Sequence, residues 1–306
     1  MAGEELGTPS AGRNERMLLS YIEDFLGTME SDETIRDRET ALRRLRTIGL
    51  NDFAAVLWST PLSRYPRVSS LLPRMASAEV QRTWTGADGA TLLAQSLSFM
   101  RSVCCNYSAL TGKTLTGKRI LDFGCGYGRI TRLCYFYSDD VWSVDPWDDA
   151  LGLCREAGLT RNLHKSDELP STLPVPDGFD LIVAFSVLTH MSERATKTAL
   201  KAMRGHLQPG GVACITIRPI EYWARGYSSP RKASVRSAVR EMEARHRGAG
   251  FAFTPHNREP VDGDITFGDT SMTTDWFVKN NPEWSIAAYD RSIDDPMQRY
   301  LFLQGN

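Results

Sequence analysis

From Lys118 onward the chain alternates short apolar runs with helix-length amphipathic stretches. "RILDFG", "DVWSVD", "NLHKSD", "FDLIVAFS" and "GGVACITIRP" read as strands. "GRITRLCYFYS", "PWDDALGLCREAG" and "SERATKTALKAMRGHL" between them read as helices. Strands joined by helices of this length build βαβ units around a parallel sheet, and right-handed crossovers place helices on both faces. Upstream, residues 17 to about 110 read as helical. "MLLSYIEDFLGTM" has helical apolar spacing, and Ile35, Leu42, Leu45 and Ile48 fall near one face, with Gly49 as a stop. "STPLSRYPRVSSLLPR" is proline-rich and reads as loop or short helices. Asp88 is placed to N-cap the long helix that runs through Leu92, Leu97, Met100 and Val103. After about residue 220 the chain is polar and irregular as far as 262, except for an Arg-rich helix near 231–247. Then follow a strand, a helix and two closing strands, the last two an antiparallel hairpin on the sheet edge. The expected fold is therefore α/β, a Rossmann-like, mostly parallel sheet with an antiparallel C-terminal hairpin and an N-terminal helical region. The expected organisation is a disordered segment 1–16, a helical region 17–110, and a sheet domain 111–306 with a lid-like insertion at about 220–262.

Composition narrows the functional classes. The 306 residues are 42% hydrophobic and 24% charged, with formal net charge −1, so bulk charge gives no reason to expect nucleic-acid or membrane binding. No apolar run has the length of a membrane span, and the polar start lacks the apolar core of a signal peptide. Cys104, Cys105, Cys125, Cys134, Cys154 and Cys214 form no C-x-x-C and no zinc spacing, so they read as reduced, mostly buried thiols of a cytoplasmic protein, with no metal site expected.

The stretch "RILDFGCGYGRITRLC" carries the chemistry. It joins the first strand to the first helix, at the carboxyl end of the sheet where ligands of such folds bind. Glycines there admit unusual dihedrals and close ligand approach. Dinucleotide sites use G-x-G-x-x-G, and here Arg129 stands at the third glycine position. A G-x-x-x-x-G-K-[ST] phosphate loop is absent.

"LDFGCGYG" resembles the first motif of class I S-adenosylmethionine-dependent methyltransferases, an acid followed by G-x-G-x-G. The resemblance extends in order through Asp145 of "VWSVDPWDDAL", Asp167 of "HKSDELP", "FDLIVAFSVLTHM" and the strand after "QPGG", covering roughly 85–218. Within the family, "FGCGYGRI" and the following "DPW" look most like bacterial enzymes acting on small molecules or sugar-containing products. The resemblance implies S-adenosyl-L-methionine as cofactor. Gly124, Cys125, Gly126 and Gly128 would let the backbone approach it, and Asp122 would hold the methionine amine. Asp145, with Pro146 beside it, would accept from the ribose diol. Asp167 and Glu168 would lie at the adenine, and Phe185 and Ser186 at the transferring methyl.

Outside the motifs the residues leave alternatives open. His190 is the candidate base, with helix capping as its other role. Trp84 and Gly86 of "RTWTGADGATLL" would close over the methionine end, where an aromatic face favours a sulfonium; the alternative is a turn with a core tryptophan. The basic segment 229–248 is either a lid that attracts an anionic acceptor or a solvated helix face. No [DNS]-P-P-[YFW] tetrapeptide follows the fourth strand, where "AFSVL" stands, which argues against methylation of base amines. The expected activity is methylation of a small polar acceptor at oxygen, without nucleic-acid or membrane partners and with the oligomeric state open. Its alternatives are N-methylation of a small molecule or protein, a catalytically silent cofactor-binding module, and a nicotinamide oxidoreductase, which the glycine spacing disfavours.

Overall fold

The computed structural model describes residues 17–226 and 233–306; the segment 1–16 expected to be disordered lies outside the described residues, as do Arg231 and Lys232. The N-terminal part folds as α1 (Ser20–Ser31), α2 (Arg38–Leu45), α3 (Leu50–Ser59), α4 (Pro66–Leu71), α5 (Ala78–Thr85) and α6 (Gly89–Thr111). Every residue from Phe53 to Ser59 of α3 is buried, so this helix has no polar stripe for periodicity to find. Asp88 occupies the N-cap position of α6, but its carboxylate pairs with Arg82 and accepts nothing from the helix, which corrects the capping expectation.

The sheet comprises β1 (Ile120–Phe123), β2 (Val141–Asp145), β3 (Leu163–Lys165), β4 (Phe179–Ala184), β5 (Leu207–Ile217), β8 (Trp284–Arg291) and β9 (Arg299–Gly305). Their order is β3-β2-β1-β4-β5-β9-β8. β1 to β5 pair in parallel, and β9 lies antiparallel between β5 and β8, the expected closing hairpin. β1 is buried along its whole length, as a parallel strand covered on both faces must be. The intervening helices are α7 (Arg129–Cys134), α8 (Asp148–Glu156) and α9 (Glu193–His206), the last capped by Ser192.

One apolar core runs from Ile22 of α1 through Met100 of α6 and Ile120 of β1 to Phe302 of β9, so the N-terminal helices and the sheet share their interior. After β5 come α10 (Glu221–Gly226) and α11 (Ala233–Ala249). They precede a two-stranded antiparallel sheet of β6 (Phe251–Pro255) and β7 (Gly268–Met272), and α12 (Thr274–Asn280) follows. β6 lies in the stretch read as irregular; only its first two residues are buried, too little alternation to register as a strand. Met242 and Val239 of α11 pack with Trp223 and Ala252. The strand order reverses between β1 and β4, and that reversal opens a crevice at their carboxyl ends.

Candidate functional site

The crevice is a cavity of about 540 Å³, a size that suits a small-molecule ligand. The glycine loop forms its floor. Gly124 and Cys125 donate their N–H groups to the Val144 carbonyl at 2.8 and 3.0 Å, which fastens the loop to β2. Gly124 has φ 72°, and a Cβ there would lie 2.5 Å from Val187. The site thus needs glycine for both dihedral and space.

Asp145, the last residue of β2, is buried, and its two oxygens accept from Gly126 N (2.8 Å) and Trp147 N (3.0 Å). Each oxygen keeps acceptor capacity for a ligand hydroxyl. Burial pushes its pKa up, against the two backbone hydrogen bonds. Asp122 is also buried and accepts from Thr131 Oγ1 at 2.6 Å; burial raises its pKa to about 6 despite that bond.

Twelve of the fourteen expected site residues line this cavity: Trp84, Asp122, Gly124, Cys125, Gly126, Asp145, Pro146, Asp167, Glu168, Phe185, Ser186 and His190. Gly86 and Gly128 do not, and their expected contact with the cofactor is corrected. Gly86 is the left-handed cap of α5, its N–H on Arg82 O at 2.9 Å. Gly128 caps α7, where a Cβ would collide with Leu159, so its glycine serves packing. Trp84 lies edge-on to Tyr127 and tilted to Trp147, with ring centroids 6.2 and 6.1 Å away. Ser186, just past β4, holds φ 61°, a conformation that a non-glycine residue keeps only when its surroundings enforce it. Here Ser186 N donates to Thr216 Oγ1 at 2.8 Å, and Gln298 Nε2 donates to Ser186 Oγ at 3.0 Å.

His190 reaches the cavity wall with both ring nitrogens engaged. Nδ1 lies 2.9 Å from the Gly268 carbonyl and must donate to it, which leaves Nε2 to accept from Arg218, 2.8 Å away. Burial, with Arg218 beside it, lowers its pKa to about 4. A base needs a free lone pair directed at the acceptor, and this ring has none. The base expectation for His190 is therefore corrected: the ring ties the segment after β4 to β7 and to Arg218. Arg218 also bonds Asp269 at 2.7 Å.

Among the described residues, none of α11 lines the cavity. Arg245 and Arg247 pair with Glu241 and Glu243 one turn away, the arrangement of a solvated helix face.

Several cavity residues were not found by motif. Arg129 was read only as a breach of dinucleotide spacing, and Arg132, which supports the loop without lining the cavity, not at all. Arg132 is fully buried and donates to the Tyr127 and Gly128 carbonyls, both at 2.7 Å, which staples the glycine loop. Arg258 lies over the Trp147 ring at 3.9 Å, and Phe267 stacks on His190. Asp295 and Gln298 come from the β8–β9 loop. The last four carried no motif, because only the tertiary fold brings them to the site.

Residues 120–211 match the family model described as a methyltransferase domain. This part of the chain is a methyltransferase domain. Among curated relatives, a ubiquinone biosynthesis O-methyltransferase of Paraburkholderia phymatum is 30% identical over 32% of this chain and 43% of its own. A tRNA U34 carboxymethyltransferase of Pseudomonas aeruginosa is 30% identical over 58% of this chain and 57% of its own. The chain thus spans about half the length of the curated relatives it matches. A solved S-adenosylmethionine-dependent methyltransferase from Clostridium acetobutylicum aligns with TM-score 0.47 at 14% identity, over 74% of this chain and 96% of that one.

The methyltransferase domain supports S-adenosylmethionine as the ligand of this cavity, and the residues present fit it. Asp145 retains acceptor capacity at the end of β2. A Cβ on Gly126 would meet only Trp84, at 3.7 Å, so the loop leaves room above it. The Tyr127 hydroxyl and Trp147 Nε1 are buried at the cavity without a partner. No helix among the described residues is long and apolar enough to cross a membrane.

Proposed function

We propose that the chain is an S-adenosylmethionine-dependent methyltransferase that acts on a small polar acceptor, most simply at oxygen. The observation that carries the reading is the junction of the Gly124–Gly128 loop with Asp145, a buried carboxylate with spare acceptor capacity at the switch point of the sheet. When bound, the cofactor supplies an activated methyl group. Asp145 would hold the ribose diol, Asp167 the adenine amine and Asp122 the methionine amine. Trp84 and Trp147 would exclude water, and segment 256–267 would act as the lid. Positioning the acceptor in line is then the main source of rate. The 111–306 region would be the catalytic unit, with the N-terminal helices completing its cavity through Thr83, Trp84, Thr85 and Gln95.

A second reading takes RNA as the acceptor. The match to a relative named for tRNA U34 carboxymethylation, over 58% of this chain, favours it, so the expectation of no nucleic-acid partner is withdrawn. A screen that reads out demethylated cofactor tests both readings. Turnover with small hydroxylated or amino compounds supports the first, and turnover with transfer RNA alone supports the second. Cofactor binding without turnover on either would leave a silent binding module.

A further inference from the structure

Arg129 faces the cavity with its guanidinium 4.7 Å above the Phe185 ring. Among the described residues, that guanidinium makes no hydrogen bond and no ion pair. Burial lowers its pKa, and Tyr127, Asp295 and Asp122 are near enough to oppose that shift, yet none closes a salt bridge. The surroundings explain why it stays open. Asp122 has one oxygen on Thr131 and closes no ion pair with Arg129, and Asp295 sits on a loop pinned elsewhere. That loop is held by Gln95, whose amide donates to the Asp294 carbonyl at 3.3 Å, and by the Gln298–Ser186 bond. A partly buried cation with five donors and no acceptor is costly unless a ligand supplies one.

We propose that Arg129 is a carboxylate-binding residue of the cavity. Guanidinium and carboxylate match as a two-pronged pair, and stacking on Phe185 fixes the plane of the fork. The carboxylate comes either from the amino-acid end of the cofactor or from the acceptor. This inference rests on the cavity being the cofactor site.

Calorimetry with two ligands separates the cases. S-adenosylhomocysteine carries the amino-acid end, and 5′-methylthioadenosine lacks it but keeps the adenosyl group. If the cofactor supplies the carboxylate, Arg129→Gln weakens S-adenosylhomocysteine by about tenfold to a hundredfold and leaves 5′-methylthioadenosine unchanged. Arg129→Lys keeps part of the preference. If the acceptor supplies it, both nucleosides bind the variant normally. Benzoate or succinate then stabilises the wild-type S-adenosylhomocysteine complex against heat but not the Arg129→Gln complex. Arg129→Met, which keeps the packing of the stem, guards against a merely unfolded variant. Normal nucleoside binding together with equal carboxylate responses in wild type and variants overturns the inference alone. Failure of wild type to bind either nucleoside overturns the cofactor reading and this inference together.

Discussion

The two walls of the cavity are built in different ways. One wall is local: Gly124, Gly126, Asp145 and Pro146 come from two successive strand ends, and backbone hydrogen bonds from the loop to Val144 and Asp145 hold them. The other wall is assembled from far apart: Arg129 and Ser186 meet Gln298 and Asp295 of the β8–β9 loop, while His190, Arg218 and Asp269 knot β4, β5 and β7 together. The local wall is fixed by dihedrals and main-chain donors, so it tolerates little change in sequence. The assembled wall is fixed by side chains, so it is the natural place for acceptor specificity to vary.

The contrast is broken most directly at the glycine loop. Gly126→Val places a β-branched residue at φ 55° and fills the space above the loop. Cofactor affinity should fall more than about a hundredfold while circular dichroism shows the helices intact. Normal binding by the variant would move the cofactor elsewhere.

Next in size is a pair of opposed pH effects, one from each wall. Asp122 has its pKa raised to about 6, so its folded form holds a proton that the unfolded chain releases above its usual value of 3.8. Its ionisation therefore costs stability above pH 6, and the cost is relieved as pH falls toward 3.8. His190 is lowered to about 4 from 6.5, so the unfolded chain binds the extra proton. Its contribution is present above pH 6.5 and is lost as pH falls toward 4. Each is worth about 3 kcal/mol at its limit, and in the wild type they largely cancel. Asp122→Asn should therefore unfold more readily as pH drops from 6.5 to 4. His190→Asn should become more resistant over the same range. Melting temperatures against pH check this, and slopes of the same sign in both variants would refute the assignment.

The smallest expected effect sharpens the comparison at the seam between the walls. Trp84 reaches the cavity from α5, outside the sheet. Trp84→Ala should weaken S-adenosylmethionine by about twofold to tenfold and S-adenosylhomocysteine less, because only the former carries a sulfonium. Equal losses for both ligands would reduce Trp84 to packing.

The same division decides what could be read from the chain. The sheet order, its closing hairpin and the loop–acid pair were legible because each is a local pattern: a strand ending in an acid, glycines at fixed spacing, a helix starting next. Gly128 shows the limit of that reading. It belongs to the motif, but only the packing against Leu159 reveals that it faces away from the cavity. His190 shows another. A histidine after the fourth strand reads as a base until the fold brings Gly268 and Arg218 to its two nitrogens. Gln298 and Asp295 carry no periodicity and no motif, and their approach to Arg129 depends on the antiparallel insertion of β9.

The account rests on Asp145 as the carboxylate that receives the ribose of S-adenosylmethionine. Isothermal titration of S-adenosylhomocysteine into wild type and Asp145→Asn tests it most directly. One-site binding to the wild type, weakened by about tenfold to a hundredfold in a folded Asp145→Asn protein, is the predicted result. Unchanged affinity in that variant would contradict it.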